Sequence, residues 1–360
     1  MNSSPLRVSV VVPAHNEEDA IETTVSCFMN QSYPVDHVVV VNDCSTDKTA
    51  EILEDLLDKF SPRLIVLTNH VPLLKAGAVN CGLTVLNRRL TDIVVVADAD
   101  SQFDENLVKE AVSSFEKTPD LGGVCSIAGV LDLEPASKGT SPLRRFERWI
   151  LWRLQHLEYA DFDAERTQTH DQVLVLHGFC TAYRLRLLRG LGGLSPNHLI
   201  EDYEVTLRIK ELGAKTIFNP EMKAYTKVPD SMKNLVRQRL RWMRGGVDVL
   251  MEHGYNKFTR GDFLGHALFV TLLLGVILTV GIGLVQGGWK LTFSLSPIPI
   301  ALAVFGYAIS LYKLRYLEHV DIADVLIRVI IVPELIMSIL MSGAQLYAYF
   351  LAFAHRKQSW

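Results

Sequence analysis

Hydrophobic and polar positions divide this chain into two regimes: short apolar runs alternating with helical spacing over the first 260 residues, then long apolar runs with few charges. Val8-Ser9-Val10-Val11-Val12-Pro13 is the β-branched run of a strand buried on both faces in a parallel sheet. Over 18–30, Ala20, Ile21, Thr24, Val25 and Phe28 recur at helical spacing, completing a βα unit. A second strand over 38–41 is turned by the polar stretch 42–49 into a helix over 50–60, and 64–67 and 93–97 repeat the strand pattern. This alternation predicts an α/β, Rossmann-like, doubly wound sheet with ligands at the carboxyl ends of its strands. Further on, 124–131 and 173–176 read as strands, 141–159 as a helix, 161–172 as a polar loop and 203–212 as a helix stopped by Gly213. Residues 232–250 place Leu235, Val236, Leu240, Met243, Val247 and Leu250 on one helical stripe with Arg237, Arg239, Arg241 and Arg244 around it.

The tail predicts three membrane spans, over 263–285, 295–312 and 325–353. The first is free of charge for long enough to cross a bilayer core, which takes ~20 residues. Pro297 and Pro299 interrupt the second, and the third carries Arg328, Pro333 and Glu334, ionisable groups that membranes tolerate against protein or along a polar path. With the soluble half inside, Lys313 and Arg315 obey the positive-inside rule, whereas His355-Arg356-Lys357 would face outward against it. The two helices that mix arginine with tryptophan, 141–159 and 232–250, read as lying on a membrane surface; an ordinary domain helix with a solvated basic edge is the plainer reading of the first.

Composition narrows the function classes. A formal net charge of −4 over 360 residues argues against nucleic-acid binding, which needs a basic face. The five cysteines, Cys27, Cys44, Cys81, Cys125 and Cys180, lack paired spacing and read as reduced thiols of a cytosolic compartment, with neither a disulfide set nor a zinc site. The first apolar run, 8–12, is too short for a signal peptide core. No Cys–His pair is spaced for thiol catalysis.

The chemistry-bearing residues sit where strands should end. Asp43 follows the second strand, where Asp43, Ser45 or Thr46 could equally cap the next helix. Asp98 and Asp100 follow an apolar strand at i and i+2, where they would repel unless a cation or donors lie between them. A hard divalent ion shared with a diphosphate, Mg²⁺ or Mn²⁺, suits such a pair. Gly178, in His177-Gly178-Phe179-Cys180, would let a ligand approach the backbone. Glu201 and Asp202 open a helix, a place the helix dipole favours for acids in any case. Gln238-Arg239-Leu240-Arg241-Trp242 delivers an amide, guanidinium and indole together on the last amphipathic helix.

Together these residues resemble the membrane-bound processive family-2 glycosyltransferases, the cellulose, chitin and hyaluronan synthases, and most closely the bacterial poly-N-acetylglucosamine synthases. The most specific match is the QxxRW motif, Gln238 to Trp242, preceded by Arg237 and followed by Gly245-Gly246. Pro13-Ala14-His15-Asn16-Glu17, Asp43, Lys75-Ala76-Gly77-Ala78-Val79-Asn80, the Asp98-Ala99-Asp100 pair, Gly178-Phe179-Cys180 and Ile200-Glu201-Asp202 match in family order. The resemblance implies a GT-A domain over 1–230, an amphipathic interface region over 231–261 and transmembrane helices over 262–360. It also implies that Ala14, His15, Glu17, Asp43, Lys75, Asp98, Gln238 and Arg241 hold the UDP-sugar, and that Asp100 and Asp98 hold the divalent metal. Asp202, beside Glu201, would be the general base, and Trp242, Gly178, Phe179 and Cys180 would face the acceptor. The implied reaction is inverting transfer, N-acetylglucosamine being the expected sugar, to a growing β-linked glycan at the cell membrane by a multi-pass protein with its catalytic domain in the cytoplasm. Its partners would be the donor, the glycan, the bilayer and a second copy or another membrane protein.

This sequence departs from the family pattern at His15, where tyrosine is usual, at Leu73-Leu74, which replaces a glycine-containing lead, and at Ile200, which replaces threonine; none of these removes a catalytic group. No span is predicted ahead of the soluble half and about three behind it, fewer than a channel of cellulose-synthase size uses. The alternative is a non-processive transferase adding one sugar to a lipid or protein acceptor. A membrane scaffold that has lost activity is the other rival, against which Asp43, Asp98, Asp100 and Asp202 all stand.

Overall fold

The computed structural model describes residues 5–86, 90–169, 172–285 and 297–354. Its centre is a sheet built from β1 (Val8–Ala14), β2 (His37–Asp43), β3 (Leu64–Asn69), β4 (Ile93–Ala97), β6 (Leu121–Cys125), β8 (Cys180–Arg184) and β9 (Lys215–Phe218), in the order β3-β2-β1-β4-β8-β6-β9. The all-valine character of β1, β2 and β4 has a direct cause, since successive residues serve opposite faces. Val8, Val10, Val12, Val38 and Val40 pack against α1 (Ile21–Met29), α2 (Thr49–Phe60) and α4 (Leu107–Lys117). Val11, Val39 and Val41 pack against α3 (Leu74–Val85), α6 (Leu185–Gly190) and α7 (Glu201–Glu211).

β1, β2, β3 and β4 run parallel, but β8 is antiparallel to both β4 and β6, so the sheet is mixed. That reversal matters for the site. It sets the start of β8 beside the end of β4, with Cys180 opposite Ala97 and the Asp98 amide donating to the Phe179 carbonyl at 2.9 Å. A second, three-stranded sheet of β5 (Gln102–Phe103), β10 (Ala224–Thr226) and β7 (Gly129–Val130) stands next to it.

Three segments differ from the sequence reading. The expected strand over 124–131 is two: β6 ends at Cys125, and the chain leaves the main sheet through the Ile127 amide's bond to Met222 to join the second sheet as β7. The expected loop over 161–172 is the end of a long helix, α5 (Pro142–Gln168); its acids bind partners remote in sequence, Asp163 accepting from the Ala128 amide and Asp161 pairing with Arg328. The expected strand over 173–176 is irregular backbone, with only a bridge from Gln172 to Thr216, and the strand proper starts at Cys180.

Beyond the sheets the described residues form α8 (Met232–His253), α9 (Arg260–Val285), α10 (Pro297–Lys313), α11 (Ile322–Ile330) and α12 (Val332–Phe353). The span expected over 325–353 is broken at Ile331, at φ +62°, with Pro333 starting the next helix. Among the described residues, α12 is the one helix long and apolar enough to cross a bilayer. The spans expected over 263–285 and 295–312 fall partly outside the residues whose side chains are described, and His355-Arg356-Lys357 lies outside them altogether.

Five of the eight arginines expected to coat the two membrane-surface helices are engaged within the protein, while Arg145, Arg237 and Arg241 are exposed. On α5, Arg144 and Arg148 pair with Asp230, and Arg153 with Asp321 and Asp324. On α8, Arg239 and Arg244 are buried, paired with Glu158 and Asp248. A desolvated guanidinium persists only where an anion or acceptors meet it.

Candidate active site

The carboxyl ends of β1, β2 and β4 lie along one edge of the sheet, and the antiparallel entry of β8 adds Gly178 to it. At the centre is Lys75, from the first turn of α3. Its Nζ is ion-paired with Asp98, stands 3.9 Å from Glu201 and donates to the Gly178 carbonyl at 2.9 Å. Burial alone would depress this lysine, but Asp98, Glu201 and Asp202 together outweigh burial and hold its pKa above the ordinary value.

Asp202 sits in the opening turn of α7. Its Oδ2 accepts the Gly178 amide at 2.9 Å and its Oδ1 the Tyr203 amide at 2.8 Å, so the carboxylate is fixed in place. Burial pushes its pKa up, against the lowering effects of Lys75, the two amides and Arg241. Glu201 is likewise raised, by burial first, with Lys75 opposing and Asp202 adding to it. Gly178 lets the two groups come close: a Cβ there would stand 3.2 Å from both Asp202 Oδ2 and Lys75 Nζ, and one of them would have to shift by a few tenths of an ångström.

Asp98 and Asp100 follow β4, with Glu17 facing them from the loop after β1. Burial and then Asp98 raise Asp100, while burial followed by Asp100 and Asp98 raises Glu17 to about 7. These three carboxyls crowd one another, with Lys75 ion-paired to Asp98. Among the described residues no three His, Cys, Asp or Glu side chains form a closed metal-binding set. An open pair completed by phosphate oxygens is the arrangement in which Mg²⁺ or Mn²⁺ usually binds, so the residues present fit such an ion.

The loops after β1 and β2 hold each other. Asn16, at φ +58°, accepts the Thr46 amide on its side chain at 2.7 Å, and the Glu17 amide donates to Thr49 Oγ1 at 2.8 Å. His15 contacts the Asp43 carbonyl through Nδ1 at 2.7 Å, on the outside of the loop. The buried Asp43 carboxylate is occupied by protein: Asn69 Nδ2 at 2.7 Å, the Leu73 amide at 2.9 Å and the Leu74 amide at 2.8 Å. It therefore caps the start of α3 rather than α2, and through that helix it sets the place of Lys75.

Other expected site residues are placed differently. The side chains of Ala14 and Cys180 lie in the core, and burial drives the Cys180 thiol far above its usual range, so neither side chain reaches a ligand. Phe179 stacks on His177 with ring centroids 4.2 Å apart. It also packs in a cluster with Ala128, Val130, Trp152, Tyr159 and Trp242, which joins it to the tryptophan of the QxxRW segment.

On α8 the five-residue segment is split by burial. Arg241 is exposed and electrostatically coupled to Asp202. Arg239, only 3% exposed, points inward, where it pairs with Glu158 of α5, donates to Gln238 Oε1 at 2.7 Å and lies 4.1 Å from the centre of the Trp242 ring. One buried guanidinium thus orients both Gln238 and Trp242: by occupying the Gln238 carbonyl oxygen it leaves that side chain's N–H donors for a ligand, and a cation over an indole face adds attraction. Sequence reasoning assigned Arg239 no role. The available signal was its i, i+2 offset from Arg241, which on a helix sets the two on different faces.

The family described as glycosyltransferase like family 2 matches residues 5–245. The poly-beta-1,6-N-acetyl-D-glucosamine synthase of Staphylococcus epidermidis is 26% identical over 247 residues, 68% of this chain and 55% of that protein. The probable glycosyltransferase YdaM of Bacillus subtilis is 30% identical over 254 residues, 68% of this chain and 56% of that protein. This chain thus spans just over half the length of these relatives. Among solved structures, a mannosyltransferase of Pyrobaculum calidifontis in complex with GDP-Man and Mn²⁺ superimposes with a TM-score of 0.64 at 20% identity, covering 98% of this chain and 90% of that one. The likeness in fold supports a GT-A-like α/β architecture around the mixed sheet. The chain is a member of glycosyltransferase family 2, and an enzyme of that class.

Proposed function

We propose that this protein transfers N-acetylglucosamine from a UDP donor, with inversion at the anomeric carbon, to a growing β-linked glycan at a bilayer surface. The observation that carries the reading is the carboxylate-rich sheet edge, where Lys75 is ion-paired with Asp98 and sits in the field of a fixed Asp202. The sugar follows from what the Staphylococcus epidermidis relative is named for.

In this reaction Asp202 takes the proton of the acceptor hydroxyl as the new bond to the anomeric carbon forms, and its raised pKa suits a base working near neutrality. The bond to the diphosphate breaks on the opposite face, and its electron pair leaves with the nucleotide. Arg241 and the free amide of Gln238 meet the departing charge, a guanidinium being suited to bidentate contact with phosphate. Asp100 and Asp98 would hold a divalent cation, which when bound neutralises charge on the diphosphate. Glu17 completes the acidic wall, and Lys75 holds Asp98 and Glu201 together. Trp242 offers an indole face to the acceptor ring.

The division that goes with this reading is a catalytic unit over 1–230, the QxxRW helix region over 231–261 and a membrane region over 262–360. Its support is the exposed apolar surface of the last four helices, including Leu264, Leu272, Leu278, Phe305, Ile322, Ile339 and Phe350. So much exposed apolar surface needs cover, and a bilayer would supply it. A cytoplasmic catalytic unit is the orientation that the positive-inside rule favours, given Lys313 and Arg315 beside that unit.

Membranes carrying the protein, incubated with a panel of labelled nucleotide sugars and followed by sizing of the product, test the reading. A labelled polymer formed from UDP-N-acetylglucosamine supports it. Single-sugar adducts alone would replace it with the non-processive alternative, and no transfer from any UDP-sugar would overturn it.

A further inference from the structure

α7 carries the proposed base in its opening turn, and one stripe of the same helix is held by the start of the tail. Tyr203, Leu207, Lys210 and Glu211 fall at i, i+4, i+7 and i+8, the spacing of a single helical face. Tyr203 and Leu207 pack in one cluster with Val249 and Leu250 from the end of α8 and with Phe258 and Phe263 around the start of α9. At the far end of the stripe, Glu211 Oε1 lies 2.9 Å from His253 Nδ1 and 3.4 Å from Asn256 Nδ2, at the turn between α8 and α9. Asn256 fixes that turn in its own right, its side-chain oxygen accepting the Phe258 amide at 2.8 Å and the Thr259 amide at 3.2 Å. α9 therefore begins at a place set against α7.

Asp262, in the first turn of α9, meets this stripe: its Oδ2 accepts the Tyr203 hydroxyl at 2.7 Å. An acid in a first turn is favoured by the helix dipole in any case. Asp262 also serves the buried Lys210, whose ammonium burial pushes down to about 8 while the Asp262 charge opposes the fall. Neither role requires the bond to Tyr203. Burial and then Asp262 raise the Tyr203 phenol far above its ordinary range, so it keeps its proton and remains the donor. The tyrosine is thus tied at both ends: its phenol to α9, and its backbone amide, at 2.8 Å, to Asp202 Oδ1. Asp202 and Tyr203 are neighbours in the chain, so a displaced tyrosine displaces the base, and small errors of placement are costly to a reaction.

We infer that Asp262 is a positioning residue for the base: through the Tyr203 hydroxyl it pins the opening turn of α7, so that the Tyr203 amide stays on Asp202 Oδ1. The inference rests on the reading of Asp202 as general base, and gives the first helix of the tail a part in the chemistry beyond anchoring. Lys75 and Arg241, which also act on Asp202, and Glu201 beside it are untouched by changes at the Tyr203 hydroxyl. Lys210 and His266 are the titratable groups that face Asp262 besides Tyr203.

The experiment follows transfer from UDP-N-acetylglucosamine by the full-length protein in detergent across pH, for Tyr203→Phe, Asp262→Ala and the double variant, with calorimetric UDP binding measured alongside. Tyr203→Phe keeps the packed ring and removes only the hydroxyl, so it spares the fold. Each single variant is expected to lower kcat about tenfold with UDP affinity within about twofold of wild type, and the double variant to lose about tenfold again in total, as two ends of one hydrogen bond must. Loosening the Tyr203 amide weakens a bond that lowers the pKa of Asp202, so the acid limb of kcat should move to higher pH in all three, a shift that lost stability alone would not produce. An acid limb left in its wild-type place in Tyr203→Phe, or losses that add to about a hundredfold in the double variant, would overturn the inference and leave Asp202 as the base. Asp202→Asn protein that turns over as wild type does would instead remove the base and its positioning residue together.

Discussion

Charge is treated in opposite ways at two places in this molecule. Where α5 meets α10, α11 and α12, three cations serve five acids and every acid is matched by a direct ion pair: Arg153 with Asp321 and the fully buried Asp324, Arg328 with Asp161 at 2.8 Å and Glu334 at 2.7 Å, and Lys313 with Glu165 at 3.3 Å. Along the sheet edge, Glu17, Asp98, Asp100, Glu201 and Asp202 gather around Lys75, with Arg241 acting on Asp202 and Lys227 on Glu17. Four of those carboxyls, Glu17, Asp100, Glu201 and Asp202, are pushed upward. A matched network holds two surfaces together and asks nothing further of its surroundings. Acids crowded together without a direct ion pair for each are costly to the fold and persist where a proton or a cation is part of the work.

The comparison breaks most visibly at Asp202. Asp202→Asn is expected to lower transfer by about 10²–10⁴-fold, the range for loss of a general base, while calorimetric binding of UDP stays within a few-fold of wild type. In the wild type, kcat/KM should fall as pH is lowered through the raised pKa of Asp202, because the base must be ionised to accept a proton; this acidic limb should start at higher pH than an unperturbed carboxylate would give, and vanish in the variant. Near-normal turnover in the variant would assign the base elsewhere.

The matched side breaks differently. Arg328→Met removes the shared cation and leaves Asp161 and Glu334 facing each other, which should cost about 3 kcal/mol in unfolding measured in detergent. Adding Asp161→Asn and Glu334→Gln should recover most of that loss, since an uncharged set needs no counterion. UDP binding should be unchanged throughout; a large loss of donor affinity in Arg328→Met would show that the junction reaches into the site.

How far these two regions were legible in the sequence differs for a physical reason. The strands at the core of the edge announce themselves locally: β1, β2 and β4 are buried on both faces, so their runs are rich in valine, with Ser9 the one polar residue inside them, and the acids after them stand out. Asp98 and Asp100 were readable for that reason, and the Glu201-Asp202 helix start from the acids that open its first turn. What could not be read depended on distant pairing. The antiparallel insertion of β8 is what sets Gly178 against Asp202, and nothing near Gly178 encodes the direction of its neighbours. Asp43 looked free to take a ligand because the amides that occupy it, at Leu73 and Leu74, come 30 residues later. The polar end of α5 looked like loop because the partner that makes Asp161 at home in a helix is Arg328.

Metal sharpens the contrast next. Chelation should abolish transfer, and Mg²⁺ or Mn²⁺ should restore it. Asp100→Ala should raise the half-saturating metal concentration more than about tenfold, since loss even of a group that merely supports a ligand costs that much. Glu165→Ala, a carboxylate from the matched region, should leave the metal requirement where it was. Transfer indifferent to chelation would mean that the crowded carboxyls serve protons or Lys75 alone.

The smallest expected effect is also the one that joins the regions, because Arg239 is a matched, buried charge inside the site. Its partner Glu158 belongs to α5, the same helix whose Arg153 and Asp161 anchor the tail. Arg239 touches Gln238 and Trp242 but is turned away from solvent, so it acts through them. Arg239→Gln should therefore lower kcat/KM about tenfold, on the scale of one charge-assisted hydrogen bond, and Arg239→Lys should restore part of the loss by keeping the cation. Glu158→Gln, which leaves the guanidinium in place, should cost less than either. Activity alone would not separate positioning from general damage, so 5-fluorotryptophan should be incorporated and the Trp242 resonance assigned by Trp242→Phe. That signal should move in Arg239→Gln and return toward its wild-type position in Arg239→Lys, while the Trp152 signal stays put. An unmoved Trp242 resonance together with lost activity would show that Arg239 does not set the indole, and would leave the orientation of the acceptor platform to the packing of Phe179, Tyr159 and Val130 alone.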